Sequence, residues 1–534
     1  MIGIRRSLTT AICTATMLLT SHSSSQTLQQ DISQETEYYR PVFHFSAEKN
    51  WINDPDGLVF FRSEYHLFYQ YNPLGDVWGH MSWGHAVSRD LVSWRQLPVA
   101  LPEENGTMIF SGSAVVDWKN TSGFGKHGIP PLVAIYTGDH PGLQNQNIAY
   151  STDSGHTWAK YSENPVLDIH EAEFRDPMVF WYAPRSRWVM VVSMAKEHRI
   201  RFYSSTNLKT WNLSGEFGPA GATHVSNWEC PNLFPLRDPK GRQKWVLVVG
   251  VGDGGPAKGS ATQYFVGDFD GDKFVSDNPS NKKLWVDFGA DFYAAQTWSD
   301  IPREDGRRIM LAWMNNWDYA DKIPTHPWRG QMTFPRKLAL AETEDGGLRL
   351  TQGPVREIES LRQDHVALRN ARWSDLQALL ARRKWPDTLE LVAKLELQGT
   401  RDVAFELRKG SAHETRVGYD AKRNAYYIDR TRSNNALSGS EFASRHEAPA
   451  LSLSRAGLIR MHILLDRSSV ELFGNDGLVA ITDLIFPDRS DDGTGAYVDG
   501  DPPKIISLDI WTLQRKRLVS IEDSRGIIKA EGTR

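Results

Sequence analysis

The chain has 534 residues, 40% of them hydrophobic and 24% charged, with a formal net charge of −4. That length supports two or three domains around a large core, and the composition is that of a soluble globular protein. The slight negative charge argues against nucleic acid or an anionic membrane as partner.

Residues 1–26 open with Arg5 and Arg6, continue as an apolar run to Leu19 and end in small polar residues. This is the pattern of a secretory signal peptide and is too short to span a bilayer. It predicts a secreted or periplasmic protein. The two cysteines are Cys13, inside that run, and Cys230, so the mature chain has no intramolecular disulfide and relies on packing.

Residues 37–343 read as short strands separated by turns, as in "GLVFFRSEYHLFYQYN", "PLVAIYTG", "RWVMVVSMA" and "KWVLVVGVG". A pattern recurs in "SRDLVSW" (Ser88 to Trp94), "STDSGHTW" (Ser151 to Trp158) and "STNLKTW" (Ser205 to Trp211), each after a short strand. The Trp residues lie roughly 50 to 65 apart, the scale of propeller blades, and some 300 residues at that period make about five. Residues 344–363 are polar and partly helical and read as a linker. Residues 364–521 return to β alternation, as in "TLELVAKLEL" and "IRMHILLDRSSVELF", and suit a β-sandwich. Residues 522–534 are a charged tail. The fold class is all-β, a five-bladed propeller followed by a sandwich.

Three acids precede apolar strands: Asp54 in "NWINDPDGLVFF", Asp176 in "EFRDPMVFWY" and Glu229 in "SNWECPNLFPL". Each has an ordinary explanation when read alone. Asp-Pro-Asp-Gly is turn chemistry, Asp176 can cap a turn before Pro177, and Glu229 can be an exposed loop acid. In a propeller, however, the starts of the inner strands converge on one end of the channel, so the three would share a funnel. The 19 Trp, 17 Tyr and 22 Phe supply flat faces for sugar rings and equally fill β-rich cores.

"WINDPDG", "FRDP" and "WECP", in this order and spacing, resemble the signature blocks of glycoside hydrolase family 32, the invertase, inulinase and levanase group of β-fructosidases. The likeness continues through "YQYNP", "WGHMSWGHAVSRDLVSW", "IFSGSAVVD", "DFYAAQTW" and "HPWRGQMTFPRKL" into "SSVELFGNDG", and its wording is nearest to bacterial levanases. The resemblance implies Asp54 as nucleophile, Glu229 as acid/base and Asp176 as transition-state stabiliser. It further implies Asn53, Gln70, Trp78, Phe110, Ser111 and Arg175 around the sugar, with Asp291 and Trp317 at the rim. Trp78 and Phe110 could equally be core residues. Arg175, beside Asp176, is expected to favour the ionised form of that carboxylate. Two positions depart from many members: Asp56, commonly Asn, and Asn232, commonly Asp.

The implied partners are fructan polysaccharides and fructosyl oligosaccharides, cut one terminal unit at a time, with levan ahead of inulin and sucrose. A fructosyltransferase using the same covalent intermediate and a non-catalytic fructan-binding protein are the alternatives. No metal or cofactor is called for: "GDFDGDKF" (Gly267 to Phe274) lacks the spacing and terminal Glu of a calcium loop and reads as a hairpin turn, and the histidines show no ligand spacing.

Overall fold

The computed structural model describes residues 37–515 apart from 224–225, 434–436, 438–441 and 452–456. The expected signal peptide and the tail lie outside the described residues.

Five sheets follow one another along the chain, each built outward from an inner strand and antiparallel apart from the short parallel pairing of Trp328–Arg329 with Asn50–Trp51 in the first. The inner strands are Asn50–Phe61, Met108–Val116, Phe174–Tyr182, Trp228–Arg237 and Tyr293–Thr297. They are buried along most of their length, polar residues included, because each is covered on both faces by the neighbouring blades. Every gap between blades is filled by its own apolar cluster, for example Phe68, Trp83 and Tyr136 between the first and second, and Val248, Phe292 and Met310 between the fourth and fifth. The ring is closed by backbone bonds between the first and fifth blades, Phe60 N to Ser299 O at 3.0 Å and Ser299 N to Leu58 O at 2.9 Å. The propeller is five-bladed.

The recurring Ser–Asp/Asn–Trp pattern is the corner between the third and fourth strands of the first three blades. Ser88, Ser151 and Ser205 close the third strands and donate to Asp90, Asp153 and Asn207. Those side chains then accept the backbone N–H groups of the turn, which is why an Asx residue recurs there. The fourth blade makes the same corner with Asp270 and no Trp; this is the hairpin turn of "GDFDGDKF", whose Asp272 pairs with Arg185 and Arg187.

The region read as a linker is more ordered than its polarity suggests. Leu348–Pro354 pairs with Arg336–Glu342 as the outer strand of the fifth blade. The chain then crosses to the second domain within one 3₁₀ turn, Arg356–Leu361. A sandwich follows, of a six-stranded and a five-stranded antiparallel sheet. Its core alternates inward residues of both sheets, such as Leu391, Leu395, Phe405 and Ile463, and the helix Trp373–Ala381 adds Trp373, Leu376 and Leu380.

Propeller and sandwich meet through buried charge as well as apolar surface. His44 donates Nδ1 to Asp466 at 2.9 Å and Nε2 to Glu471 at 2.8 Å, with all three side chains fully buried. Arg336 of the propeller joins Glu471 of the sandwich to Asp287 of the propeller. Burial alone would lower the pKa of His44, but its two carboxylate partners outweigh this and raise it to about 9.

Candidate active site

The inner strands share one irregularity. In each of the five, two residues stand opposite one on the neighbouring strand near the strand start: Asn53–Asp54, Phe110–Ser111, Asp176–Pro177, Cys230–Pro231 and Ala294–Ala295. Such a β-bulge re-aims side chains and bends the strand. Asp176, Cys230 and Ala294 take up the bulge with φ of 65°, 48° and 52°, an unfavourable region for residues other than glycine. "DPDG" is therefore no hairpin turn. It stays within the first inner strand and carries a second bulge, where Gly57 at φ 54° lies too close to Phe68 and Trp83 for any Cβ.

The bulges aim side chains into one cavity of about 300 Å³, lined by Asn53, Asp54, Gln70, Trp78, Phe110, Ser111, Arg175, Asp176, Glu229, Tyr293 and Trp317. Asp54 is 8% exposed and Asp176 5%, whereas Trp78 at 46% and Trp317 at 37% stand at the rim. Trp78 meets Phe110 edge-on at 6.2 Å, and Trp317 stacks on Trp51 at 6.0 Å. Trp51 in turn donates Nε1 to Asn53 Oδ1 at 2.8 Å.

The three acids sit in different surroundings. Asp54 Oδ2 accepts from Ser111 Oγ at 2.7 Å and from the Cys230 thiol at 3.3 Å, while Oδ1 accepts from Asn53 Nδ2 at 3.1 Å. Asp176 Oδ2 accepts from Cys230 N at 2.9 Å. Glu229 Oε1 accepts from Arg175 Nε at 3.0 Å and Nη2 at 2.7 Å, and Oε2 accepts from the Tyr293 hydroxyl. Arg175 is held in turn by Gln144 Oε1 at 3.1 Å and by Glu173, which also pairs with Lys196.

Burial raises the pKa of Asp54; the Ser111 and Asn53 hydrogen bonds oppose it and the Glu229 charge adds to it. Burial pushes Asp176 up to about 7, with Arg175 opposing and Glu229 and Asp54 adding. Arg175 does favour the ionised form of Asp176, as expected, but through its charge alone, since its hydrogen bonds go to Glu229, Gln144 and Glu173, and burial outweighs it. Cys230 is held well above its ordinary value by burial and the three acids, so it remains a thiol that donates to Asp54. Asp56, one of the two unusual positions, lies fully buried behind Asp54. It accepts from Gln70 Nε2 at 2.7 Å and Gly112 N at 3.1 Å, and burial together with Asp54 keeps its carboxyl well above the usual range.

Ten of the residues singled out from the sequence line this cavity. Asp291 does not. It is fully buried and faces the sandwich, accepting from Arg430 Nη1 at 2.8 Å and Leu484 N at 2.7 Å, and from the Tyr319 hydroxyl at 2.7 Å. Its place in the cavity belongs to Tyr293, two residues on, which the sequence reading passed over. The signal for it was the recurrence itself: Tyr293 precedes the fifth bulge as Arg175 and Glu229 precede the third and fourth.

The N-terminal domain profile of glycosyl hydrolases family 32 matches residues 44–354, and the C-terminal profile of the same family matches residues 357–512. The chain belongs to glycosyl hydrolase family 32. Among its curated family 32 relatives, a levanase of Bacillus subtilis is 47% identical over 507 residues, covering 94% of this chain and 74% of the relative. A levanase of Bacillus sp. strain L7 is 41% identical over 90% of this chain, which spans 52% of that longer protein. An extracellular exo-inulinase of Aspergillus ficuum is 40% identical, covering 89% of this chain and 94% of the relative. The crystal structure of an exo-inulinase from Aspergillus awamori superposes with a TM-score of 0.82 at 36% identity, covering 89% of this chain and 98% of that one. The family 32 fold and its glycosidase class therefore extend to this chain.

Proposed function

We propose that this family 32 glycoside hydrolase is a secreted, retaining, exo-acting β-fructosidase with levan as its preferred polymer. The observation that carries the reading is the convergence of Asp54, Asp176 and Glu229 on one small cavity at the end of the propeller channel. Its volume of about 300 Å³ is at the lower end for ligand sites and suits a single sugar unit. Levanase relatives at 47% and 41% identity favour β-2,6-linked levan, and exo-inulinase relatives favour end-on attack.

In this reading, Asp54 attacks C2 of the terminal fructosyl unit as the bond from C2 to the leaving oxygen breaks. Glu229 gives its proton to that oxygen. The result is a fructosyl ester on Asp54. Glu229, now a carboxylate, takes a proton from water; the water oxygen bonds C2 and the ester bond to Asp54 breaks. Two displacements leave the anomeric configuration unchanged. The roles fit the surroundings. Asp54 is held in place by three donors and, among the described residues, pairs with no cation, so its electron pair is free to attack. Glu229 is anchored by Arg175 and Tyr293, which fix the carboxyl in position. Asp176, fixed by Cys230 N, holds sugar hydroxyls and offsets the positive charge that develops on the ring. Trp78 and Trp317 guide the rest of the chain at the rim.

A time course on levan, resolved by chromatography, tests the exo reading. Free fructose from the first minutes is expected; a ladder of oligofructosides preceding fructose overturns it. Equal digestion of inulin and sucrose at lower rates fits the levan preference, and a reversed order removes it.

A further inference from the structure

The propeller channel has a second mouth. Beyond their bulges the inner strands run to the opposite face, where Val116, Phe180, Pro235 and Ser299, one from each of four blades, help line a cavity of about 680 Å³. It is more than twice the volume of the catalytic one. Two features mark it off from a packing defect.

The first is a fixed aromatic plate. Trp118 at this mouth is 61% exposed, far above what an apolar ring of this size gains from solvent. Its indole does not swing freely: Nε1 donates to Asp300 Oδ1 at 2.8 Å, while Asp300 Oδ2 accepts from Val116 N at 3.0 Å. Trp181 of the same lining lies edge-on to Trp188 at 5.1 Å.

The second is an arginine with donors to spare. Arg308 reaches the carbonyl of Trp298 at 3.1 Å and the hydroxyl of Thr297 at 3.5 Å, and among the described residues no carboxylate lies within ion-pair distance of it. Burial pulls it down to about 10, with the more distant Asp300 opposing. Half-buried and stacked over the Phe234 ring at 5.4 Å, its guanidinium lines the cavity with N–H donors to spare.

A planar fork of N–H donors beside an exposed indole face suits vicinal hydroxyls and the apolar face of a sugar ring. Lys119, Arg303 and Arg308 in the lining stand against Asp117 and Asp300, so the cavity is close to charge balance, and it is the indole face beside the guanidinium that points to a sugar. We propose that this second mouth is a non-catalytic saccharide-binding site that holds a segment of fructan chain between Trp118 and Arg308. The choice of fructan rests on the function proposed above; the saccharide class rests on the cavity. Two contacts on one polymer raise the local concentration of chain ends at the catalytic mouth. They leave the turnover of a substrate too small to reach both unchanged.

The test is titration calorimetry of the full-length Asp54→Ala protein with a levan tetrasaccharide. Two binding events are expected in that background and one after Trp118→Ala is added, with Trp118→Phe restoring the second. In the otherwise wild-type enzyme, Trp118→Ala raises KM for levan at least threefold and leaves kcat/KM for sucrose unchanged. Because Trp118 is exposed, the fold tolerates the change; if it melts early, Arg308→Met is read in its place. A single event that Trp118→Ala does not touch overturns the second site and leaves the catalytic reading standing. A single event that Trp118→Ala abolishes does the reverse.

Discussion

Two groups of buried carboxylates in this molecule are treated in opposite ways. At the junction of the domains, Asp466, Glu471 and Asp483 are fully buried, yet each is held below the ordinary carboxylate range. In every case burial works the other way and is outweighed by facing partners: His44 for Asp466, Arg336 and His44 for Glu471, His446 and Arg430 for Asp483, with backbone N–H donors adding to each. At the catalytic mouth, Asp54, Asp56 and Asp176 are just as buried and are all raised. Arg175 reaches the cluster, but its hydrogen bonds go to Glu229, Glu173 and Gln144, and its charge lowers Asp176 without offsetting burial. Asp291 falls between the two groups, because it shares Arg430 with Asp483 and remains raised. Equal burial thus yields structural glue where cations are supplied and reactive groups where they are withheld. The second arrangement costs stability, which the fully compensated junction offsets elsewhere.

The sharpest way to break this contrast is to remove a carboxylate from the catalytic mouth and a cation from the junction. Asp54→Ala should lower kcat by about four orders of magnitude or more, with a melting temperature at or above that of the wild type. Near-normal turnover in the folded variant contradicts its role. His44→Gln strips Asp466 of its cation and should cost about 3–5 kcal/mol of unfolding free energy, measured by denaturant titration, while kcat in the cold stays close to normal. Full stability in His44→Gln would mean that the junction is not held by this network.

A smaller effect is expected at the hydroxyl that anchors the acid. Tyr293→Phe removes a hydrogen bond to the carboxyl of the acid, worth about 1–3 kcal/mol, and should reduce kcat/KM by about 10- to 100-fold. The pH–rate profile should move with it, which a merely structural tyrosine would not cause. An unchanged profile removes Tyr293 from the positioning set.

The mildest predictions concern pH. His44 has a folded pKa of about 9 against an ordinary 6.5. Its contribution to stability is therefore complete below the ordinary value and lost as pH rises through 9. Melting temperatures should fall across this alkaline window, and the fall should be absent in His44→Gln. Asp176 works in the same direction over a lower window: raised from 3.8 to about 7, its ionisation weakens the fold progressively as pH rises between those values. Asp176→Asn should then melt a few degrees higher than the wild type at pH 8 and no higher at pH 3. A variant that gains equally at both values would place the cost elsewhere than in ionisation.

Much of this was legible in the sequence, and what was not has a common cause. Asp54, Asp176 and Glu229 each precede an apolar strand, so a propeller that brings strand starts together places them in one cavity. Trp78 and Phe110 could not be told from core residues by type, and only their place in the cavity lining decides it. Asp291 and Tyr293 were exchanged because both lie at the start of the fifth inner strand. What separates them is Arg430, 139 residues away in the other domain, which draws Asp291 outward and leaves Tyr293 to face Glu229. Leu348–Pro354 likewise looked like a linker because its partner strand, not its own polarity, makes it part of a blade. The turn residues of "DPDG" were recognised for the φ values they allow, but those values serve bulges inside a strand.

The central claim is that Asp54, left without a cation, carries the fructosyl unit as a covalent ester. The most direct measurement uses Glu229→Ala with an activated aryl fructoside, whose leaving group departs without protonation, so that the ester forms and then waits for water that has lost its base. Acid quenching, proteolysis and mass spectrometry should find the mass of one anhydrofructosyl unit on the peptide that contains Asp54. The same adduct on another peptide, or steady release of fructose of inverted configuration with no adduct, would contradict the account.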